Sequence, residues 1–185
     1  MKIKILLTSF VLLLSLSCKK EEAEVKFKYF DFSYSNTFET CFSVKFIPND
    51  SVYIREHWNA HDVWDSTNIP KGKTNYIALI SQKDKNKLID LISKTQLKKY
   101  NSEYVENYSD GSYYTIYIDK DSIKKSIAIH SYKDDVPKDL DSLANWIYNW
   151  KKKVKLIESN KKLTFFSSKY ILPPPPPPPP LKTDK

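Results

Sequence analysis

The chain has 185 residues and a formal net charge of +8, a length that suits one ordinary domain plus extensions. Hydrophobic residues make up 41%, enough to bury a core, while only two glycines, Gly72 and Gly111, exclude a glycine-rich phosphate loop. The densest basic run, Lys151-Lys152-Lys153 with Lys155, carries no interleaved aromatic on which bases could stack, so nucleic acid is not the expected partner.

At the N-terminus, Lys2 and Lys4 precede a nearly unbroken apolar run from Ile5 to Leu14. Ten residues are too few to cross a bilayer, which takes about 20, but they fit the apolar region of a secretory signal. The small residues Ser15 and Ser17 flank the expected cut, and Cys18 stands directly after it. Ser15-Leu16-Ser17-Cys18 resembles the lipobox of bacterial lipoproteins, in the looser form used by Bacteroidetes-type bacteria. The resemblance implies a signal peptide over 1–17 and acylation of Cys18. Several acyl chains on one residue anchor firmly, since each buried CH₂ contributes about 0.8 kcal/mol.

The next residues, Lys19-Lys20-Glu21-Glu22, are abruptly charged. With Cys18 they resemble the surface-export signal of Bacteroidetes lipoproteins, matched at Lys20, Glu21 and Glu22. That implies an outer-membrane protein, lipid-anchored and facing outward, with 18–26 as a tether. Removal of 1–17 takes away Lys2 and Lys4 and leaves a net charge of +6. It also leaves Cys41 as the sole cysteine available for other roles, so an intramolecular disulfide is excluded and a buried, inert thiol is expected.

A single domain is expected over 27–172. Phe27 to Tyr34 reads as a strand with Phe30 and Phe32 on its core face. Phe42, Val44 and Phe46 alternate with polar residues, Pro48-Asn49-Asp50 turns the chain, and Val52-Tyr53-Ile54 returns it, giving a hairpin over 42–56. Residues 57–73 read as an irregular polar loop. Tyr76 to Ile80 is a further strand, and Ser81 with Asp84 marks the start of a helix running to about Leu97. Tyr114, Ile116 and Ile118, then Ile123, Ile127 and Ile129, form a second hairpin around a turn at 119–122. Pro137 opens a helix whose stripe is Leu140, Leu143, Ala144, Ile147, Trp150 and Val154. Leu163 to Leu172 is either a last strand or an extended strap.

This order predicts an α+β fold, an antiparallel sheet built from hairpins with two helices packed on one face. It is similar to a small uncharacterised domain found in Bacteroidetes lipoproteins, in which a cysteine also precedes an alternating strand as Cys41 does here. A second cysteine just upstream and a glycine in the first hairpin turn, usual in that family, are absent. Pro173 to Pro180 must adopt a polyproline II rod of roughly 25 Å, so 173–185 forms a stiff tail.

His57 and His61 stand four apart, with Asp65 one turn further, and two imidazoles with a carboxylate can bind zinc. Trp58 occupies the place where a zinc protease motif requires its glutamate base. Asp119-Lys120-Asp121 and Ser109-Asp110-Gly111 read as turns rather than calcium loops. No catalytic residue and no cofactor is therefore assigned. The expected role is non-catalytic binding of a protein or glycan partner at the envelope. A metal-binding or metal-dependent hydrolytic role through His57 and His61 is one alternative. An immunity-type inhibitor of an envelope-targeted toxin is another.

Overall fold

The computed structural model describes residues 26–48, 51–58, 74–107, 111–130 and 135–171. In chain order the elements are β1 (Phe27–Ser35), β2 (Cys41–Phe46), β3 (Val52–Trp58), β4 (Thr74–Leu79), α1 (Gln82–Lys94), β5 (Glu103–Val105), β6 (Tyr113–Lys120), β7 (Ile123–His130), α2 (Lys138–Lys151) and β8 (Lys155–Glu158). Short 3-10 turns occupy Leu97–Lys99 and Ser167–Tyr170. The described strands form one eight-stranded sheet in the order β5-β7-β6-β1-β2-β3-β4-β8. All neighbouring pairs are antiparallel except β5 with β7. The fold class is α+β.

Strand alternation writes two kinds of row across this sheet. Ile116, Phe32, Val44, Ile54 and Tyr76 lie side by side on five successive strands, an apolar row. Ile116, Phe32, Val44 and Ile54 are fully buried there, in one cluster with Leu88 and Ile92 of α1 and Leu140, Leu143 and Ile147 of α2. Each such side chain contributes about 1.5–3 kcal/mol by leaving water. One residue along, the row reads Thr115, Ser33, Ser43, Arg55 and Asn75, which is polar throughout.

The helix ends explain their own positions. Ser81 has extended backbone angles, and its hydroxyl accepts from the Asp84 amide at 3.1 Å, so the cap read in the sequence is present. At the other end of α1, Lys120 from β6 donates to the carbonyls of Ser93 at 2.5 Å and Thr95 at 2.7 Å. A buried lysine there satisfies acceptors that a helix C-terminus leaves open. Burial lowers the Lys120 pKa from its ordinary value.

Four local expectations change. Pro137 is the N-cap of α2 rather than its first helical residue, with φ −54° and ψ 130°. The helix ends at Lys151 rather than reaching Val154, whose amide instead closes a turn on the Trp150 carbonyl. Helix α1 stops at Lys94 rather than about Leu97. Lys151 is the last residue of α2. It pairs with Glu56 at 2.5 Å and its side chain is only 13% exposed. Strands β5 and β8 are additional, and at three and four residues both are too short for alternation to reveal. The β6–β7 turn places Asp121 at φ 51° and Ser122 at φ 63°, the left-handed pair of a tight hairpin turn made without glycine.

Candidate functional site

The polar row does not face open solvent. Ser43 is fully buried, and Ser33 and Thr115 are 2% exposed. What covers it is the C-terminal strap, residues 159–171, which leaves β8 and crosses the sheet. Leu163 and Phe165 are buried against Tyr53 and Ile77. The Arg55 guanidinium lies over the Phe165 ring at 5.1 Å, and Phe166 meets Tyr117 at 4.7 Å between ring centroids. The strap is therefore a strap, not the last strand that the aromatic sequence also allowed.

Side chains of the sheet hold the strap by its backbone. The Asn75 amide donates to the Lys161 carbonyl at 2.9 Å, and Arg55 Nη2 donates to the Leu163 carbonyl at 2.7 Å. Arg55 Nε donates to Asn75 Oδ1 at 2.8 Å, which orients both side chains. Further along, Asp31 accepts from the backbone amides of Phe166 at 2.6 Å and Ser167 at 2.9 Å. Tyr29 donates its single hydroxyl proton to the same carboxylate at 2.9 Å.

From Asp31 a chain of hydroxyls runs under the strap. Ser167 Oγ lies 2.7 Å from Ser33 Oγ, Ser33 Oγ lies 2.6 Å from Ser43 Oγ, and Ser43 Oγ lies 2.8 Å from His57 Nε2. An ionised carboxylate only accepts. Along the three hydroxyls either oxygen of each pair can donate, and His57 Nε2 donates to or accepts from Ser43 according to its tautomer. Burial pushes the Asp31 carboxyl above its ordinary range, while the bonds from Ser167, Phe166 and Tyr29 pull it back down.

His57 thus lies in β3 rather than in the polar loop expected from 57 onward, and one ring nitrogen is engaged by Ser43. His61 and Asp65 fall outside the described residues, as do Cys18, Lys20, Glu21, Glu22 and the polyproline tail. Among the described residues no group of three His, Cys, Asp or Glu side chains is placed to hold a metal ion. Cys41 is fully buried, its sulfur 3.6 Å from Ser35 Oγ and 3.5 Å from the Asn36 carbonyl, and burial raises its thiol pKa.

A second concave feature lies where the start of α1 meets the end of α2. It is a shallow groove of about 360 Å³ lined by Trp146, Trp150, Asp84, Asn149 and Lys153, among others. The two indoles are stacked, with ring planes 7° apart and centroids 6.0 Å apart. Their i, i+4 spacing on α2 produces that stack. Trp150 is 8% exposed and anchors in the core, while Trp146 is half-buried.

The model of a family described as "Domain of unknown function (DUF6438)" matches residues 59–151, half of the chain. The chain belongs to the DUF6438 family. The DUF6438 segment includes β4, α1, β5, β6, β7 and α2, and with them the whole tryptophan pair. Asp31, Ser33, Ser43, Arg55, His57 and the strap lie outside it. No curated protein and no solved structure matches the chain.

The polar residues under the strap were missed from sequence, although a signal existed. Tyr29, Asp31, Ser33 and Ser35 alternate with Phe30, Phe32 and Tyr34, and Ser43 and Arg55 continue the pattern on β2 and β3. Four hydroxyl or acidic residues in one alternating register announce a face that needs a polar cover.

Proposed function

We propose that this DUF6438 protein is a lipid-anchored envelope lipoprotein whose domain binds a glycan without transforming it. The stacked Trp146–Trp150 pair in a groove with polar walls carries the binding reading. The C–H faces of a pyranose ring pack on indole, while its hydroxyls need donors and acceptors such as Lys153, Asn149 and Asp84 beside that surface. The anchoring reading rests on Ser15-Leu16-Ser17-Cys18 and on Lys20-Glu21-Glu22. The same reading takes both helices to cover one face of the sheet, supported by the core cluster that α1 and α2 share with the apolar row.

Two measurements test it. Retention of the mature domain on immobilised envelope polysaccharides is expected to fall at least about tenfold in Trp146→Ala, a loss of about 1.4 kcal/mol, with folding unchanged. Equal retention of the wild type and the variant refutes glycan binding at this groove. Incorporation of labelled fatty acid in the producing cell is expected to vanish in Cys18→Ala. Labelling that survives this substitution refutes the anchor.

A further inference from the structure

The strap is bound in the manner of a peptide ligand rather than a strand. Its hold on the polar face runs through side chains: Asn75 and Arg55 donate to the carbonyls of Lys161 and Leu163, and Asp31 accepts the amides of Phe166 and Ser167. Contacts to backbone groups leave the identity of the bound residues open. Selection comes from what lies beneath. Leu163 and Phe165 are buried against Tyr53 and Ile77, and Ser167 reaches Ser33. Thr164 is exposed, while Phe166, 55% exposed, rests the edge of the strap on the Tyr29 and Tyr117 rings. Alternate anchors beneath a backbone-reading frame are how extended peptides are recognised.

We propose that the polar face of the sheet is a binding groove for an extended peptide segment of a partner protein, occupied in this structure by the chain's own residues 161–167. The fitting segment carries an aliphatic residue, an aromatic residue two positions on and a serine two beyond that, as Leu163, Phe165 and Ser167 do. The strap is an internal competitor. Only Ser159 and Asn160 separate β8 from Lys161, so its effective concentration is at least millimolar and a partner gains access mainly when the strap lifts. Apparent affinity then scales with the fraction of molecules whose groove is open.

The test uses the full mature chain and a fluorescent synthetic peptide of residues 159–171, SNKKLTFFSSKYI, followed by anisotropy. Phe165→Ala in the protein weakens the internal competitor and leaves the groove intact, so it is expected to take up the peptide at least about tenfold more tightly than wild type. Adding Arg55→Gln to that variant removes the donor to the Leu163 carbonyl position and is expected to reverse the gain. A scrambled peptide that binds equally overturns the proposal. So does a folded Phe165→Ala protein with no gain, or strap exchange into a dimer in place of peptide uptake. Should Phe165→Ala fail to fold, hydrogen exchange of the wild type decides. The Phe166 and Ser167 amides are expected to exchange while those of β1 stay protected. Exchange of both only on global unfolding makes the strap a fixed part of the fold and overturns the proposal.

Discussion

A polypeptide of residues 59–151 alone is expected to show no cooperative unfolding transition, whereas residues 26–171 unfold cooperatively in urea. The DUF6438 segment does not contain a continuous sheet. Its β4 pairs only with β3 and β8, and both lie outside it. Its β6 keeps β7 but loses β1, the central strand with which it pairs from Tyr113 to Lys120. The separated pieces would expose three newly unpaired edges, both sides of β4 and one side of β6. They would also lose Phe30, Phe32, Phe42, Val44, Phe46 and Ile54 from the core, all buried and all contributed by β1, β2 and β3. At about 1.5–3 kcal/mol each, that loss reaches or exceeds a whole-domain stability of about 5–15 kcal/mol. One substitution samples the same effect. Phe32→Ala, at a fully buried site beside Phe42 and Tyr114, is expected to remove about 3–5 kcal/mol. Circular dichroism and urea titration measure both, and a cooperatively folded 59–151 fragment would refute the argument.

Asp31→Ala is expected to free the strap and lower stability by about 2–4 kcal/mol. Two backbone amides lose their acceptor, at about 1–3 kcal/mol each if they stay buried, and relief from burying a carboxylate offsets part of that. Hydrogen exchange would show the strap amides losing protection while the β1–β6 ladder keeps it. Unchanged protection at Phe166 and Ser167 would sink the claim. The pH dependence has a definite sign. Burial raises the carboxyl above 3.8, so the folded chain holds this proton more tightly than the unfolded chain. The resulting stabilisation is complete below the unfolded value and is lost as pH rises through the folded one. The stability difference between wild type and Asp31→Asn should therefore widen as pH falls from neutrality toward about 4. A difference that narrows instead would show that the donors from the strap outweigh burial.

Much of the fold was readable because its strands are long enough to alternate and its helices long enough to show a stripe. The two hairpins, β4 and the bodies of both helices stand where periodicity puts them, although α1 stops at Lys94 and α2 at Lys151, each short of its apolar pattern; Ser81 announces α1 by its chemistry. Strands β5 and β8 were invisible, since three or four residues at a sheet edge carry no period. The polar face was legible residue by residue but not as a site. Nothing local links Asp31 to Phe166, which lies 135 positions away. His57 misleads for a related reason, since polarity at the end of β3 looks like loop until the strap and Ser43 supply its surroundings.

The bond between Asp31 and Ser167 spans 136 positions, nearly the full length of the described domain. Its consequence is kinetic. β1 cannot find β6 until the chain through Lys120 exists, and Asp31 cannot be satisfied until Ser167 does. Contacts of such high sequence separation slow folding, because loop closure must precede them. A chain emerging N-terminus first can pair its central strand with β2 early, but carries the β6-facing edge of that strand open through most of its synthesis and completes the domain only after nearly all of it has been made.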